Sequence, residues 1–230
     1  MIDLSEGQRQ SVIQAARQEA MRRSAKDGWF WATTFVWTRD EADQDSVKRF
    51  PNKLYLGELW RIIHENQRVV VAKSRQVMVS WILCAYCVWV ARFTDHKLIL
   101  WQTQKEDDGH AMVALAGVGE LGGYAGRMQF ILRNLPTWMR GRWVEKEGEL
   151  ISLDTQSSIL ALPGGAHQVR SKTASLIVED EFAFQSEQGG VYQAVAPLIQ
   201  KQTKFIAVST PNGRNNTFAD LFFGVQQVAR

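Results

Sequence analysis

The chain carries three adjacent carboxylates directly after an apolar run. Residues 176–181 read Leu-Ile-Val-Glu-Asp-Glu, so a predicted buried strand brings acidic side chains to its C-terminal end. In an α/β sheet, ligands bind at that edge. One carboxylate can hold Mg²⁺ while its neighbour orients a water molecule, and both are needed for hydrolysis of a nucleoside triphosphate. Asp180 and Glu181 are the candidates for these two roles, whereas the pleat of the strand turns Glu179 to the opposite face.

A second candidate site lies where a predicted strand runs into a predicted helix. Residues 73–80 read Lys-Ser-Arg-Gln-Val-Met-Val-Ser. Backbone N–H groups of such a loop, together with the positive end of the helix, bind phosphate. A Walker A motif would read G-x-x-x-x-G-K-[ST], but both glycines are missing and no lysine precedes Ser80. Lys73 and Arg75 nevertheless place cations beside the loop, and the Ser80 hydroxyl stands where a phosphate loop has its Mg²⁺ ligand.

A third motif follows another predicted strand, at 203–208. Residues 209–213 read Ser-Thr-Pro-Asn-Gly, which alone is typical of a strand end followed by a turn. Three polar motifs, each at the end of a predicted strand, support one another as parts of one site.

Strands alternate with helices along most of the chain. This alternation predicts an α/β fold with a mostly parallel sheet flanked by helices. Short alternating strands predict an antiparallel hairpin inserted in that sheet. The predicted parallel strands are Arg68–Ala72, 97–103, 175–178 and 203–208, those of the antiparallel extension are 142–145, 149–153 and Ser158–Leu162, and the main helices are Val79–Phe93, 105–118, 128–139 with a break at Pro136, and 217–228.

The first 50 residues form an N-terminal segment of different character. Residues 5–25 are polar and helix-prone with a shallow apolar face, 28–37 are rich in aromatic side chains, and 38–46 are charged and predict a loop. We therefore expect a single domain over 1–230, in which this segment precedes a core at 51–230.

Composition places few limits on the partner. The 230 residues include 27 basic and 24 acidic side chains, a net charge of +3 that permits a polyanionic partner without requiring one. No apolar run is long enough to span a membrane, and we expect no signal peptide.

Cys84 and Cys87 lie in a predicted apolar helix, which indicates two buried thiols in a reducing cytoplasm rather than a redox pair or a zinc site.

Taken in order, the three motifs resemble those of a known family. Residues 73–81 (KSRQVMVSW), 176–181 (LIVEDE) and 208–213 (VSTPNG) are similar to motifs in the ATPase domain of the large terminase subunit of tailed bacteriophages, a resemblance that covers about residues 50–220. This family powers DNA packaging into procapsids, and some members carry the Walker A lysine at the start of the loop. The resemblance implies a P-loop NTPase fold of the ASCE type, ATP and Mg²⁺ as cofactors, and ATP-driven translocation of double-stranded DNA.

The resemblance also implies roles for the residues of the loop. Lys73 would contact the β- and γ-phosphates, Arg75 would sense or polarise the γ-phosphate, and Ser80 would ligate Mg²⁺. Most relatives have glycine where Met78 stands, so this side chain is expected to narrow the loop. Tyr55 is a candidate for stacking on the base. The nucleotide-binding loop would comprise Lys73, Ser74, Arg75, Gln76, Val77, Met78, Val79 and Ser80.

On the strand ends, the resemblance implies that Asp180 binds Mg²⁺ and Glu181 aligns the attacking water. Ser209 and Thr210 would form a coupling motif that reports the state of the γ-phosphate to the parts that move DNA. Arg170, eleven residues before Glu181, would be an arginine finger that acts in trans. Its competitors are Arg127, Arg133, Arg140 and Arg142.

A finger that acts in trans requires a homo-oligomeric ring, although the chain alone is expected to be a monomer. The implied partners are double-stranded DNA, contacted through its phosphates, the portal protein of the procapsid and the small terminase subunit, in the host cytoplasm and without a membrane. Family members carry a C-terminal nuclease of the RNase H type, for which we expect no counterpart in these residues. Two alternatives stay open: a helicase-like translocase outside packaging, and a degenerate nucleotide-binding module that serves for docking.

Overall fold

The computed structural model describes residues 5–39, 47–116, 125–170 and 172–224. Its helices are α1 (Glu6–Lys26), α2 (Gly28–Phe35), α3 (Leu54–Glu65), α4 (Val79–Phe93), α5 (Glu106–Met112), α6 (Arg127–Asn134), α7 (Thr137–Arg140), α8 (Ala166–Arg170), α9 (Gln188–Gln200) and α10 (Thr217–Phe223). Its strands are β1 (Trp37–Arg39), β2 (Val47–Arg49), β3 (Arg68–Ala72), β4 (Leu98–Gln102), β5 (Trp143–Lys146), β6 (Glu149–Ser152), β7 (Ser158–Leu162), β8 (Leu176–Asp180) and β9 (Lys204–Ser209).

Seven strands form one sheet in the order β3-β9-β8-β4-β7-β6-β5. The neighbours from β3 to β7 all pair in parallel. Strands β6 and β5 continue the sheet in antiparallel pairing. The predicted α/β fold, a mostly parallel sheet with an antiparallel extension, is therefore confirmed.

Strand β9 lies between β3 and β8, so three strand ends are adjacent. Ala72 at the end of β3 pairs with Ser209, and Asp180 at the end of β8 pairs with Val208. Because parallel strands end at the same edge of the sheet, the three motifs that follow these strands meet there.

Helix α4 is the centre of the core on one face of the sheet. Eleven of its fifteen residues are buried, because the helix packs against α2, α3 and α6 as well as the sheet. Cys84 and Cys87 are buried free thiols within it, as predicted, and burial raises the pKa of both. The other face of the sheet carries a second apolar cluster that includes residues of α8, α9 and α10.

The N-terminal segment departs from its prediction in one respect and confirms it in another. Residues 38–39 do not form a loop, because β1 pairs antiparallel with β2; the rest of the predicted loop, 40–46, lies outside the described residues. The predicted polar helix is present as α1, and its shallow apolar face is exposed at Val12, Ala15 and Ala16. The indole N–H of Trp89 donates to the Ser24 carbonyl over 2.8 Å and ties the end of α1 to α4.

Two predicted helices are shorter in the structure than in the sequence pattern. Helix α10 ends at Phe223, where Gly224 adopts a φ of +70°, and 225–228 lie outside the described residues. Helix α5 ends at Met112, and 117–118 also lie outside them. The break at Pro136 separates α6 from α7, as predicted. Among the described helices, none has the length and apolar character that a membrane crossing needs.

Candidate active site

Four polar side chains converge where β3, β9 and β8 end. The Lys73 Nζ atom lies 2.7 Å from Oε1 of Glu181. The other carboxylate oxygen of Glu181 accepts hydrogen bonds of 3.3 Å from the Ser209 hydroxyl and from both the backbone N–H and the hydroxyl of Thr210. The structure thus brings together one residue from each of the first two motifs and both coupling residues of the third.

The backbone and charge of Glu181 are both set by this position. Its φ of +47° is left-handed, a conformation that a non-glycine residue adopts rarely. Burial alone would raise the pKa of its carboxyl group, but the hydrogen bond and charge of Lys73, with the donors of Thr210, outweigh burial and lower the pKa. Glu181 is therefore a carboxylate near neutral pH, able to accept a hydrogen bond from a water molecule.

Asp180 is a buried carboxyl group with incomplete charge compensation. It is 3% exposed, and its Oδ1 atom accepts a 3.0 Å hydrogen bond from the Glu181 backbone N–H. Burial raises its pKa to about 6, even though the charge of Lys73 acts in the opposite direction. A cation bound at this carboxylate would relieve that cost.

The oxygen donors around Asp180 fit Mg²⁺. Asp180 and Ser80 line one cavity, and carboxylate and hydroxyl oxygens are hard ligands of the kind that Mg²⁺ prefers. Within the described ranges, no group of three or more His, Cys, Asp or Glu side chains is placed to hold a metal ion. A Mg²⁺ ion here would therefore take its remaining ligands from water and from phosphate oxygens, as is usual for this ion at nucleotide sites.

Glu179 lies away from this chemistry, as its place in the strand predicts. Its side chain is fully buried and accepts a 3.1 Å hydrogen bond from Nε2 of Gln185. Burial raises its pKa to about 8, only partly opposed by that hydrogen bond. Glu179 is therefore a largely neutral acid near pH 7, behind the cavity.

The loop between β3 and α4 has an unusual backbone. Gln76 and Met78 have φ values of +60° and +61°, so both are left-handed. Met78 is also the N-cap residue of α4, and its side chain makes no capping hydrogen bond. The first residues of α4 line the cavity, and the N–H groups at the start of a helix suit an anion. A glycine would adopt these angles without strain, and its absence at Met78 is the departure noted in the sequence.

A cavity of about 1220 Å³ opens above these strand ends. Typical ligand pockets measure about 300–1,000 Å³, so a nucleoside triphosphate fits with room to spare. The whole predicted loop lines it, together with Asp180, Glu181 and Thr210. Further cations that line the cavity are Arg39, Lys48, Arg49, Lys53, Lys105 and Arg127.

None of these further cations was predicted from the sequence to line the cavity, and Arg127 was a candidate only for a finger in trans. The paired strands β1 and β2 bring three of these cations to the cavity, namely Arg39, Lys48 and Arg49. A loop was predicted over 38–46, so this pairing was not expected. The one indication in the sequence was that Arg39, Lys48 and Arg49 lie on either side of residues 40–46.

The candidate arginine fingers occupy different surroundings. Arg170 is exposed at the end of α8 and does not line the cavity. Arg133 pairs with Glu145 over 2.7 Å, and Arg142 pairs with Asp154 over 2.8 Å. Arg127 alone among them lines the cavity of its own chain.

Tyr55, the candidate for base stacking, lies on α3 beside the loop. Its hydroxyl is 3.5 Å from the Val77 carbonyl oxygen, and its ring does not line the cavity. The structure therefore does not place Tyr55 where a base in this cavity would stack.

Known structures with similar folds are ATPase domains and a helicase from phages. The chain is similar to the large terminase ATPase domain of Thermus phage P74-26, with a TM-score of 0.54 and 14% identity over 74% of this chain and 70% of that one. The large terminase of the thermophilic bacteriophage D6E in complex with ADP gives a TM-score of 0.54 and 12% identity over 74% of this chain and 41% of that one. The chain shares the fold of large terminase ATPase domains.

The same fold extends beyond terminases. The UvsW helicase from bacteriophage T4 gives a TM-score of 0.50 and 12% identity over 86% of this chain and 64% of that one. No family model matches the chain, and no curated protein matches it in sequence. The resemblance predicted from three short motifs is thus confirmed in the fold, at identities where overall sequence similarity is nearly lost.

Proposed function

We propose that this chain is the single ATPase motor domain of a viral large terminase, which hydrolyses ATP to move double-stranded DNA into a procapsid. The observation that supports the proposal most directly is the convergence of Lys73, Glu181 and Thr210 at three adjacent strand ends. A strand-to-helix turn with a purely structural role would not need one carboxylate that binds both a cation and a hydroxyl group at this edge of the sheet.

Hydrolysis would proceed by attack of a water oxygen on the γ-phosphorus, in line with the bond to the β–γ bridging oxygen, which breaks to leave ADP. One proton of this water would stay on the inorganic phosphate, and the other would pass to bulk solvent. Glu181 would accept a hydrogen bond from this water and fix its direction of attack. Lys73 would leave Glu181 for the β- and γ-phosphates, and Arg75 would polarise the γ-phosphate. Ser80 and Asp180 would hold Mg²⁺, which supplies charge neutralisation on the phosphate oxygens.

The active form would be a homo-oligomeric ring. Arg170 is exposed and outside the cavity, which suits a finger inserted into the site of the next subunit in a homo-oligomeric ring. Such a finger can raise turnover by about 10³–10⁵-fold, so the isolated chain should be a weak ATPase. The proposed partners are double-stranded DNA, the portal protein of the procapsid and the small terminase subunit.

Phosphate release from ATP tests the proposed chemistry. We expect release that requires Mg²⁺, stops on addition of EDTA, and rises when DNA, portal and procapsid are supplied together. A chain that neither binds nor hydrolyses ATP with all three present would overturn the proposal.

A helicase-like translocase is the second candidate, favoured by the similarity in fold to the UvsW helicase. Stimulation by portal and procapsid beyond that by DNA alone supports packaging, whereas full stimulation by DNA alone supports the alternative. A degenerate docking module, suggested by Met78, predicts no binding of ATP at all.

A further inference from the structure

Arg127 is the first residue of α6 and lines the cavity together with Asp180, the proposed Mg²⁺ ligand. Its guanidinium carbon lies 5.5 Å from the centroid of the Trp81 ring, and its Nη1 atom lies 3.4 Å from Sδ of Met112. Trp81 belongs to the first turn of α4 and directly follows Ser80. The aromatic face thus positions a planar cation next to the predicted Mg²⁺ ligand.

The backbone that carries Arg127 is held firmly in place. A Cβ atom at Gly126 would lie 2.7 Å from the backbone nitrogen of Ala114, so the chain approaches as closely as only glycine allows. The Gln129 side-chain oxygen accepts hydrogen bonds from the N–H groups of Gly126 and Leu115, over 3.1 and 3.3 Å. These contacts fix the start of α6, and with it the backbone of Arg127, against the segment that follows α5.

Arg127 is a half-buried cation that interacts with the buried Asp180 carboxyl group. Burial lowers the pKa of its guanidinium group, and the negative charge of Asp180 acts in the opposite direction. The triphosphate group of a nucleotide bound in the same cavity would offer further negative charge to this guanidinium group. Guanidinium groups bind phosphate oxygens through two parallel hydrogen bonds, a geometry that lysine cannot reproduce.

We propose that Arg127 binds the phosphate chain of ATP in the site of its own chain. This role differs from that of a finger supplied by a neighbouring subunit, because Arg127 lines the same cavity as Lys73 and Asp180. The inference rests on the proposed ATP site and adds a cis contact to it. Arg170 remains the candidate for the contact in trans.

Equilibrium titration with Mg-ATP tests the contact. We expect Arg127→Ala to weaken ATP binding about tenfold, as for the loss of one charge-assisted hydrogen-bonding partner, and Arg127→Lys to restore binding only in part. Arg61→Ala is the matched control, because Arg61 pairs with Glu58 and Glu65 on α3 and does not line the cavity; its affinity should equal that of wild type. Thermal unfolding of each variant separates a lost contact from a lost fold.

Mixing experiments distinguish cis from trans. Each chain of a ring that mixes Arg127→Ala with Glu181→Ala lacks one group of its own site, so a cis role predicts no recovery of ATPase activity. A ring that mixes Arg170→Ala with Glu181→Ala should recover activity in part. Recovery with Arg127→Ala, or an Arg127→Ala chain that binds ATP as wild type does, would refute the cis contact while leaving the ATP site intact. Failure of wild type to bind ATP would instead refute the proposed function itself.

Discussion

The Lys73 ammonium group and the Glu181 carboxylate form an ion pair of 2.7 Å across the ends of β3 and β8. In the proposed reaction these residues have separate tasks, one at the phosphates and one at the attacking water. The pair must therefore open when nucleotide binds, because the phosphates compete with Glu181 for Lys73. Binding of ATP would then release the carboxylate at the moment when a water molecule needs to be oriented.

Thr210 contributes to the charge state of Glu181, so its removal should change the pH dependence of turnover. Its hydroxyl and N–H both donate to Glu181, and together with Lys73 they lower the pKa of that carboxyl group. Thr210→Val removes the hydroxyl and raises the pKa, which moves the acidic limb of the pH–rate profile to higher pH. The loss of turnover should be greater at pH 5 than at pH 8. Thr210→Ser, which keeps a hydroxyl, should retain the wild-type profile; equal profiles for all three proteins would rule out this contribution.

Met78 strains the loop that is proposed to bind phosphate. A left-handed φ costs a non-glycine residue about 1–2 kcal/mol, whereas glycine costs about 0.5–1 kcal/mol in chain entropy. We expect Met78→Gly to leave the free energy of unfolding within about 1 kcal/mol of wild type and to increase the affinity for ATP several-fold, since the backbone N–H groups become more accessible. Fluorescence titration with an ATP analogue measures the affinity.

Val77→Gly is the matched control for this change. Val77 lies next to Met78 but does not have a positive φ, so glycine there adds flexibility without relieving strain. It should lower stability and should not improve binding. Equal or weaker ATP binding by Met78→Gly would show that the side chain does not restrict the loop.

Glu179 should make the protein less stable as the pH rises. Its pKa is about 8 in the folded chain, against an ordinary value of 4.5, so between these values the folded state holds a proton that the unfolded state has lost. The free energy of unfolding therefore falls as the pH rises through this window. In wild type, this contribution lowers the free energy of unfolding by on the order of 3 kcal/mol between pH 5 and pH 8. Glu179→Gln should remove that decrease.

Urea unfolding of wild type and Glu179→Gln at pH 5 and pH 8 measures this difference. Glu6→Gln replaces an exposed carboxylate in the first turn of α1 and serves as the control, with no comparable effect expected. Parallel pH dependence in wild type and Glu179→Gln would mean that the buried carboxyl group does not hold its proton.

The sequence was sufficient to predict those parts of the site that depend only on a single strand and the residues that follow it. Asp180 and Glu181 follow an apolar run, and Ser209 follows another, so their convergence required only that both strands be parallel neighbours. The absence of glycine at Met78 was visible as well. The consequence, a positive backbone φ at a residue that is not glycine, is visible only in the structure.

The remaining parts depend on contacts between distant segments, which no local pattern encodes. The β1–β2 hairpin pairs residues on either side of a charged stretch that resembles a loop. Arg127 enters the cavity because Gly126 packs against Ala114 and Gln129 ties both segments together. A helix start after a glycine gave no indication that its first side chain faces the cavity.

ATP binding and turnover by wild type, Lys73→Ala and Glu181→Gln, measured on the same preparations with Mg²⁺, decide whether Lys73 binds the phosphates and Glu181 activates water. Lys73→Ala should bind ATP at least about tenfold more weakly, because a charge-assisted contact to phosphate is lost. Glu181→Gln should bind ATP at least as tightly as wild type, since an uncharged glutamine holds Lys73 less strongly than a carboxylate does, but it should release phosphate at least about 100-fold more slowly. Unchanged ATP affinity in Lys73→Ala would contradict the proposed contact of Lys73 with the phosphates. Wild-type turnover in Glu181→Gln would contradict the proposed role of Glu181 at the attacking water.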